Sequence, residues 1–170
     1  MSNFKQFCTA IEMTVKEEFK SDQVCVRWLE SADKELPAPA ILLDIEQLDI
    51  GVDAGDGRLP LECSLCAFCV MSVKTPSYEL AVKGFAARLM KLLRHNNFKI
   101  DAVTLPKNIT AEGVDFSPGK AGYICWAVTW QQTVYVGEDV WNSATIMPTE
   151  VKFRLQPDGC ATDEDDYESL

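Results

Sequence analysis

Basic residues are scarce in this sequence. Its 16 lysines and arginines face 26 aspartates and glutamates, for a formal net charge of -10. Binding to nucleic-acid phosphates draws its affinity from Lys and Arg displacing counterions, so that function class is not expected. A basic protein, or further copies of the same chain, suits the charge better. There is one histidine, His95, set beside Arg94. A His-dependent triad needs a nucleophile and an orienting carboxylate next to the ring, and no G-x-S-x-G turn occurs. His95 therefore reads as a solvated helix-end residue. No run reaches the roughly 18 apolar residues of a membrane-spanning helix, and the opening MSNFKQFCTAIEMTVKEEFK lacks the apolar block of a signal peptide, so a cytosolic protein is expected.

What is present is an ordinary globular composition: 170 residues, 47% hydrophobic and 25% charged, enough for one domain with a real core. The acidic excess is uneven. Asp158, Asp163, Glu164, Asp165, Asp166 and Glu168 crowd the end of the chain with no Lys or Arg among them. The expected organisation is a single domain over 1–156 and an acidic, disordered tail over 157–170.

Periodicity supplies the elements. Phe4, Phe7, Cys8, Ile11, Val15 and Phe19 recur at helical steps, predicting an amphipathic helix over 3–20. A short strand at 24–29 and a polar turn lead to Pro37 and Pro39, and Pro39 opens a strand over 40–46. The Gly- and Asp-rich stretch 51–57 reverses the chain into a long strand over 59–73. Thr75-Pro76 then starts a helix over about 76–96, with Thr75 as its cap and Ala81, Phe85, Leu89, Leu92 and Leu93 as its apolar stripe. A short strand at 99–104, a loop over 105–121, a half-buried strand over 122–136 and a last strand at 149–155 complete the reading. The fold class is α+β: a mixed, mainly antiparallel sheet with the N-terminal helix and the long central helix packed on one face.

Each cluster with chemical potential has a structural explanation. Cys63-x-x-Cys66-x-x-Cys69 has zinc-like spacing, but strand alternation sends Cys66 to the face opposite Cys63 and Cys69, and no second ligand pair is at hand. The seven cysteines read as reduced, buried small hydrophobes. Asp49, Asp53 and Asp56 miss the calcium-loop pattern and lack its twelfth-position glutamate. The glycines of 51–57 precede a strand, not the helix a phosphate loop requires. Trp126 and Trp130 lie on the apolar face of their strand and read as core, whereas Tyr135 and Trp141 flank its end, where interface aromatics are enriched. No catalytic, cofactor or metal residue is assigned, and the chain is read as a non-enzyme.

Two stretches, PAPAILLDIEQLDIGVDAGDGRLPLECSLCAFCVMS followed by a helix and the later WAVTWQQTVYVGEDVW, resemble the small tail-terminator or tail-completion proteins of long-tailed phages, of the type found in Mu-like prophages. The likeness covers most of 37–141. It implies a structural protein of the virion tail, assembled in the bacterial cytoplasm. Such a protein forms a ring, expected to be a hexamer, on the tail-tube protein, halts polymerisation and offers a joining surface to the head–tail connector. DNA passes through the ring without specific binding, and no cofactor or catalytic residue comes with the family. A ring needs a heterologous interface, for which sheet edges and loops are the natural material. Asp49, Asp53, Asp56 and Arg58 in the first loop, with Tyr135, Glu138 and Trp141 at the end of the last long strand, are the expected interface residues. The acidic loop is alternatively expected to line the channel. The rival reading is a monomeric acidic binding or inhibitor module for a basic protein.

Overall fold

A computed structural model of the protein describes residues 3–29, 38–115 and 122–140, and the backbone of two short strands beyond them. The order is α1 (Asn3–Glu18), β1 (Cys25–Trp28), β2 (Ala40–Ile50), β3 (Leu59–Ser72), α2 (Tyr78–Leu93), β4 (Lys107–Val114), β5 (Tyr123–Val136), β6 (Lys152–Arg154) and β7 (Tyr167–Ser169). Contacts divide the chain into two units, Met1–Glu138 and Asp139–Leu170. In the second, β6 and β7 form an antiparallel pair. β6 falls in the expected strand at 149–155, and β7 within the stretch expected to be a disordered tail.

The first unit is an α+β layer built on a five-stranded sheet of order β1-β2-β3-β5-β4. Only β1–β2 is parallel; the other pairings are antiparallel. β3 and β5 pair over their full lengths, from Leu59↔Val136 to Ser72↔Tyr123, with no bulge. Alternation along this ladder turns Cys63, Leu65, Ala67, Cys69 and Met71 toward one core with Val128, Trp130 and Val134. α1 supplies Phe7, Ile11 and Val15 to that core, Phe19 just past its end joins them, and α2 supplies Val82, Ala86, Leu89 and Leu93. Fully burying a side chain of this size contributes about 1.5–3 kcal/mol. Edge-to-face contacts, Phe7 with Phe98 and Phe19 with Phe85, join helix to loop and helix to helix. Ala40, Leu42, Val70 and Cys125 form a smaller buried cluster on the other side of the strands.

The helices are held to each other by Arg88 of α2. Its guanidinium donates to the Glu18 carboxylate (2.7 Å), to the Glu18 carbonyl oxygen and to Asp22 (2.6 Å), and it lies 4.6 Å from the centre of the Phe19 ring. A buried polar hub ties the segment that follows α2 to the sheet. Gln132, 3% exposed, accepts a hydrogen bond from Trp130 Nε1 (2.9 Å) and donates through its amide to the carbonyl oxygens of Asn96 (3.2 Å) and Thr104 (2.8 Å). The buried Trp130 indole N–H and two half-buried carbonyl oxygens are thereby satisfied.

Three local expectations are corrected. The stretch expected to be loop, 105–121, contains the edge strand β4; its polar residues hide the weak alternation of Ile109 and Ala111, which pack on the core. The expected strand at 99–104 is instead a turn, since Phe98 and Lys99 take left-handed backbone angles (φ 57° and 58°). Only Val103 bridges to β5, at Val134. α2 starts at Tyr78 behind Ser77, itself left-handed (φ 54°), so Thr75 is not its cap.

Replacing Gln132 by Leu keeps bulk but orphans the buried Trp130 indole N–H, at a cost of about 1–3 kcal/mol, and removes the amide from two half-buried carbonyl oxygens. Urea unfolding of Gln132→Leu is expected to show a loss of that order or more. Gln131→Ala, on the exposed neighbouring residue, should change stability by within about 0.5 kcal/mol.

Candidate functional site

The β2 side of the β2–β3 hairpin loses its cover toward the turn, while its β3 side stays paired with β5 as far as Leu59↔Val136. Along β2 the burial passes from complete at Ala40–Leu43 to exposed from Glu46 onward. β1 covers the outer edge of β2 only as far as Trp28↔Leu43, with a last backbone bond from Leu29 N–H to the Leu43 carbonyl oxygen (2.7 Å). Among the described residues, no strand pairs with the outer edge of β2 beyond that point. A register shift between Ile45 and Gln47 re-aims the remaining residues. Leu48, Ile50 and Val52 then follow one another at two-residue spacing, 49%, 77% and 84% exposed.

The tip is rigid by construction. The Gly51 N–H donates to the Pro60 carbonyl oxygen (2.9 Å) and closes the ladder. The Asp53 carboxylate accepts from the Gly55 N–H (2.8 Å) in an Asx turn. Asp56 accepts from the Arg58 N–H (3.0 Å), and its second oxygen accepts from Nε (3.0 Å) and Nη2 (2.5 Å) of the same arginine. The guanidinium also lies 4.9 Å from the centre of the Tyr135 ring. Gly57 (φ 79°) allows the chain to turn within this clamp. Gly137 (φ 117°) lets the end of β5 pass close by; a Cβ there would sit 3.7 Å from the Arg58 Cα. Bonds from Arg58 hold the Asp56 carboxyl below the usual carboxylate range.

The structure therefore brings Asp56, Arg58 and Tyr135 together, with the Gly137–Glu138 turn beside them. Asp56 is only 8% exposed and Arg58 is engaged by it, so both act first inside the loop, as its clamp. Asp53 and Glu138 are exposed. Asp49 is exposed on the face of β2 opposite Leu48, beside Glu62, and accepts from Gln47 Nε2 (2.8 Å). It lines a polar cavity of about 230 Å³ with Glu62, Lys107, Gln131 and Thr133. Trp141 lies outside the described residues. The apolar stripe Leu48, Ile50 and Val52 was not singled out by sequence, although the alternation of ILLDIEQLDIGV past residue 46 carries its signal.

The cysteine cluster offers neither a ready thiolate nor a ligand set. Cys63 and Cys69 face the helix-side core, and Cys66 faces away from it. Burial pushes the Cys63 thiol up to about 11 and those of Cys69 and Cys125 to about 12, and it raises Cys66 as well, with the Glu46 carboxylate adding to the effect. Among the described residues, no three His, Cys, Asp or Glu side chains are grouped to hold a metal ion. No known protein family matches the chain, and no curated protein sequence matches it.

Because the native carboxyl pKa is lowered, the Asp56–Arg58 clamp contributes stability at and above the ordinary Asp range, near 3.9, and loses it as pH falls through the lowered value. Arg58→Met is expected to move the Asp56 titration, followed by carboxyl ¹³C chemical shift, upward toward the ordinary value. Alkylation of the folded protein at pH 8 should leave Cys63, Cys69 and Cys125 unmodified, and urea should expose them to full reaction, read by peptide mass.

Proposed function

We propose that this chain is a structural protein of a long-tailed phage, a tail terminator that assembles as a ring on the end of the tail tube, stops its growth and presents the joining surface to the head connector. The observation that carries this reading is the exposed end of the β2–β3 hairpin, whose tip is clamped by Asp56, Arg58 and Tyr135 yet exposes Leu48, Ile50 and Val52 to water. A rigid support for apolar side chains at an uncovered strand edge is the arrangement a protein contact uses. The resemblance of 37–141 to tail-terminator proteins supplies the kind of contact, between subunits and with the tube. The acidic balance agrees with a wall past which DNA slides without adhering.

In this reading Asp53, Glu138 and Trp141 meet a neighbouring subunit or the tube. Light scattering after size exclusion and negative-stain imaging of mixtures with tubes of the cognate tail protein test it. Rings at tube ends, and tubes of bounded length, are the expected outcome. Ile50→Asp and Trp141→Ala should each reduce capping at least about tenfold, corresponding to roughly 1.4 kcal/mol. A chain that stays monomeric beside the tubes, leaves their ends bare and binds a basic protein in a salt-sensitive way would establish the inhibitor reading instead.

A further inference from the structure

Among the described residues the sheet has a second uncovered edge: β4 is bonded on one side only, to β5, and it stands beside the C-terminal end of α2. Between them lies an open groove of about 510 Å³ lined by Met90, Lys91, Arg94, Pro106, Asn108 and Ile109. Its chemistry is the reverse of the hairpin's. From residue 44 to 57 the chain carries Asp44, Glu46, Asp49, Asp53 and Asp56 with no Lys or Arg, and among the described residues Asp56 alone of these is ion-paired. The groove carries Lys91 and Arg94, and Asp101 is the one acid from 88 to 108. Lys91 and Arg94 are exposed, and neither is within ion-pair distance of an acid among the described residues. In a chain of net charge -10 this is a local concentration of positive charge with an apolar floor.

The two edges are also placed to meet. Gln47 pairs with Ser64, Ser64 with Gln131 and Gln131 with Lys107, so one straight row of partners runs from the free part of β2 to the start of β4. Three strand spacings separate those edges, about 14 Å. They face opposite directions at the same level of one sheet. Two different, complementary surfaces on opposite sides of a subunit are what a heterologous, head-to-tail contact requires, whereas a two-fold dimer would set each patch against its own charge.

We infer that the hairpin edge of one copy, with Leu48, Ile50 and Val52 flanked by Asp49 and Asp53, docks into the α2–β4 groove of a second copy, where Met90, Pro106 and Ile109 receive the apolar side chains and Lys91 and Arg94 the carboxylates. This deepens the ring reading and rests on it. The contact uses both edges of every subunit once and leaves no hairpin uncovered when the ring closes. Charge steers the encounter and sets the direction of the array; apolar burial holds it.

The test uses the full chain in three charge variants: Asp49→Lys with Asp53→Lys on the hairpin, Lys91→Glu with Arg94→Glu on the groove, and all four together. All four positions are exposed, and circular dichroism and thermal unfolding verify folding in each. Sedimentation velocity across a concentration series, with and without tail tubes, reads assembly. Each two-residue variant alone should raise the assembly concentration at least about tenfold. A 1:1 mixture of the two should regain assembly with alternating copies, because the native groove meets the native hairpin and the reversed groove meets the reversed hairpin. The four-residue variant should regain assembly.

Wild-type assembly that both two-residue variants reproduce unchanged overturns this inference and leaves the ring reading standing. A wild-type chain that remains monomeric even with tubes overturns both. A four-residue variant and a 1:1 mixture that both stay as unassembled as the two-residue variants, although folded, also overturn the head-to-tail contact, since in each the facing charges are again complementary.

Discussion

The unbroken pairing of β3 with β5 is the constraint on which the rest of the first unit depends. Because their 14 residue pairs contain no bulge, the inward or outward direction of every side chain from Leu59 to Ser72 and from Tyr123 to Val136 follows from any one of them. A slip by a single residue would turn Trp130, Val128 and Leu65 out of the helix-side core and Thr129 and Cys66 into it. Both helices pack against this ladder, and both irregular pairings, in β2 and in β4, occur at strands flanking it. The centre stays regular while its neighbours bend, which leaves the outer edges of β2 and β4 uncovered among the described residues.

Gln132 shows how the regular centre accommodates an irregular neighbour. The turn at 98–104 meets β5 only briefly, with the Ala102 carbonyl oxygen accepting from the Tyr135 N–H (2.8 Å), and the Thr104 carbonyl oxygen beyond it is taken up by a side chain. A polar side chain pointing into the core from β5 takes up the Asn96 and Thr104 oxygens and, in the same step, the Trp130 indole. Thr104 Oγ1 completes the junction by accepting from the Thr133 N–H at 2.9 Å. A buried amide at this point costs desolvation, and full satisfaction of its hydrogen bonds offsets that cost while fixing the position of the loop.

Much of this architecture was legible in the sequence. Helical spacing in α1 and α2, and strand alternation in β3 and β5, are strong because each buries one continuous face. β4 was hidden because an edge strand needs little apolar surface and Lys107–Val114 interposes Asn108, Thr110, Glu112 and Gly113 among its packed residues. The turn at 98–104 was misread because Ile100 and Val103 suit a strand as well as a packed turn, and left-handed angles at Phe98 and Lys99 have no compositional mark. At the candidate site, the sequence drew attention to the acidic residues. Asp56 and Arg58 proved to be partners of each other, a relation that a two-residue spacing on a turn permits and that only the geometry of the loop selects.

The buried thiols of β3 and β5 have a consequence for the chemical durability of the protein. Cysteines read as reduced because of a cytosolic setting would be expected to oxidise once that setting is lost. Here the sheet itself protects them: Cys63, Cys66, Cys69 and Cys125 are closed off from solvent and kept in the slow-reacting protonated form. Oxidants reach a thiolate, and these side chains present almost none while the ladder is intact. Their redox lifetime is thus set by the opening rate of β3 from its neighbours, and is a property of the fold rather than of the compartment.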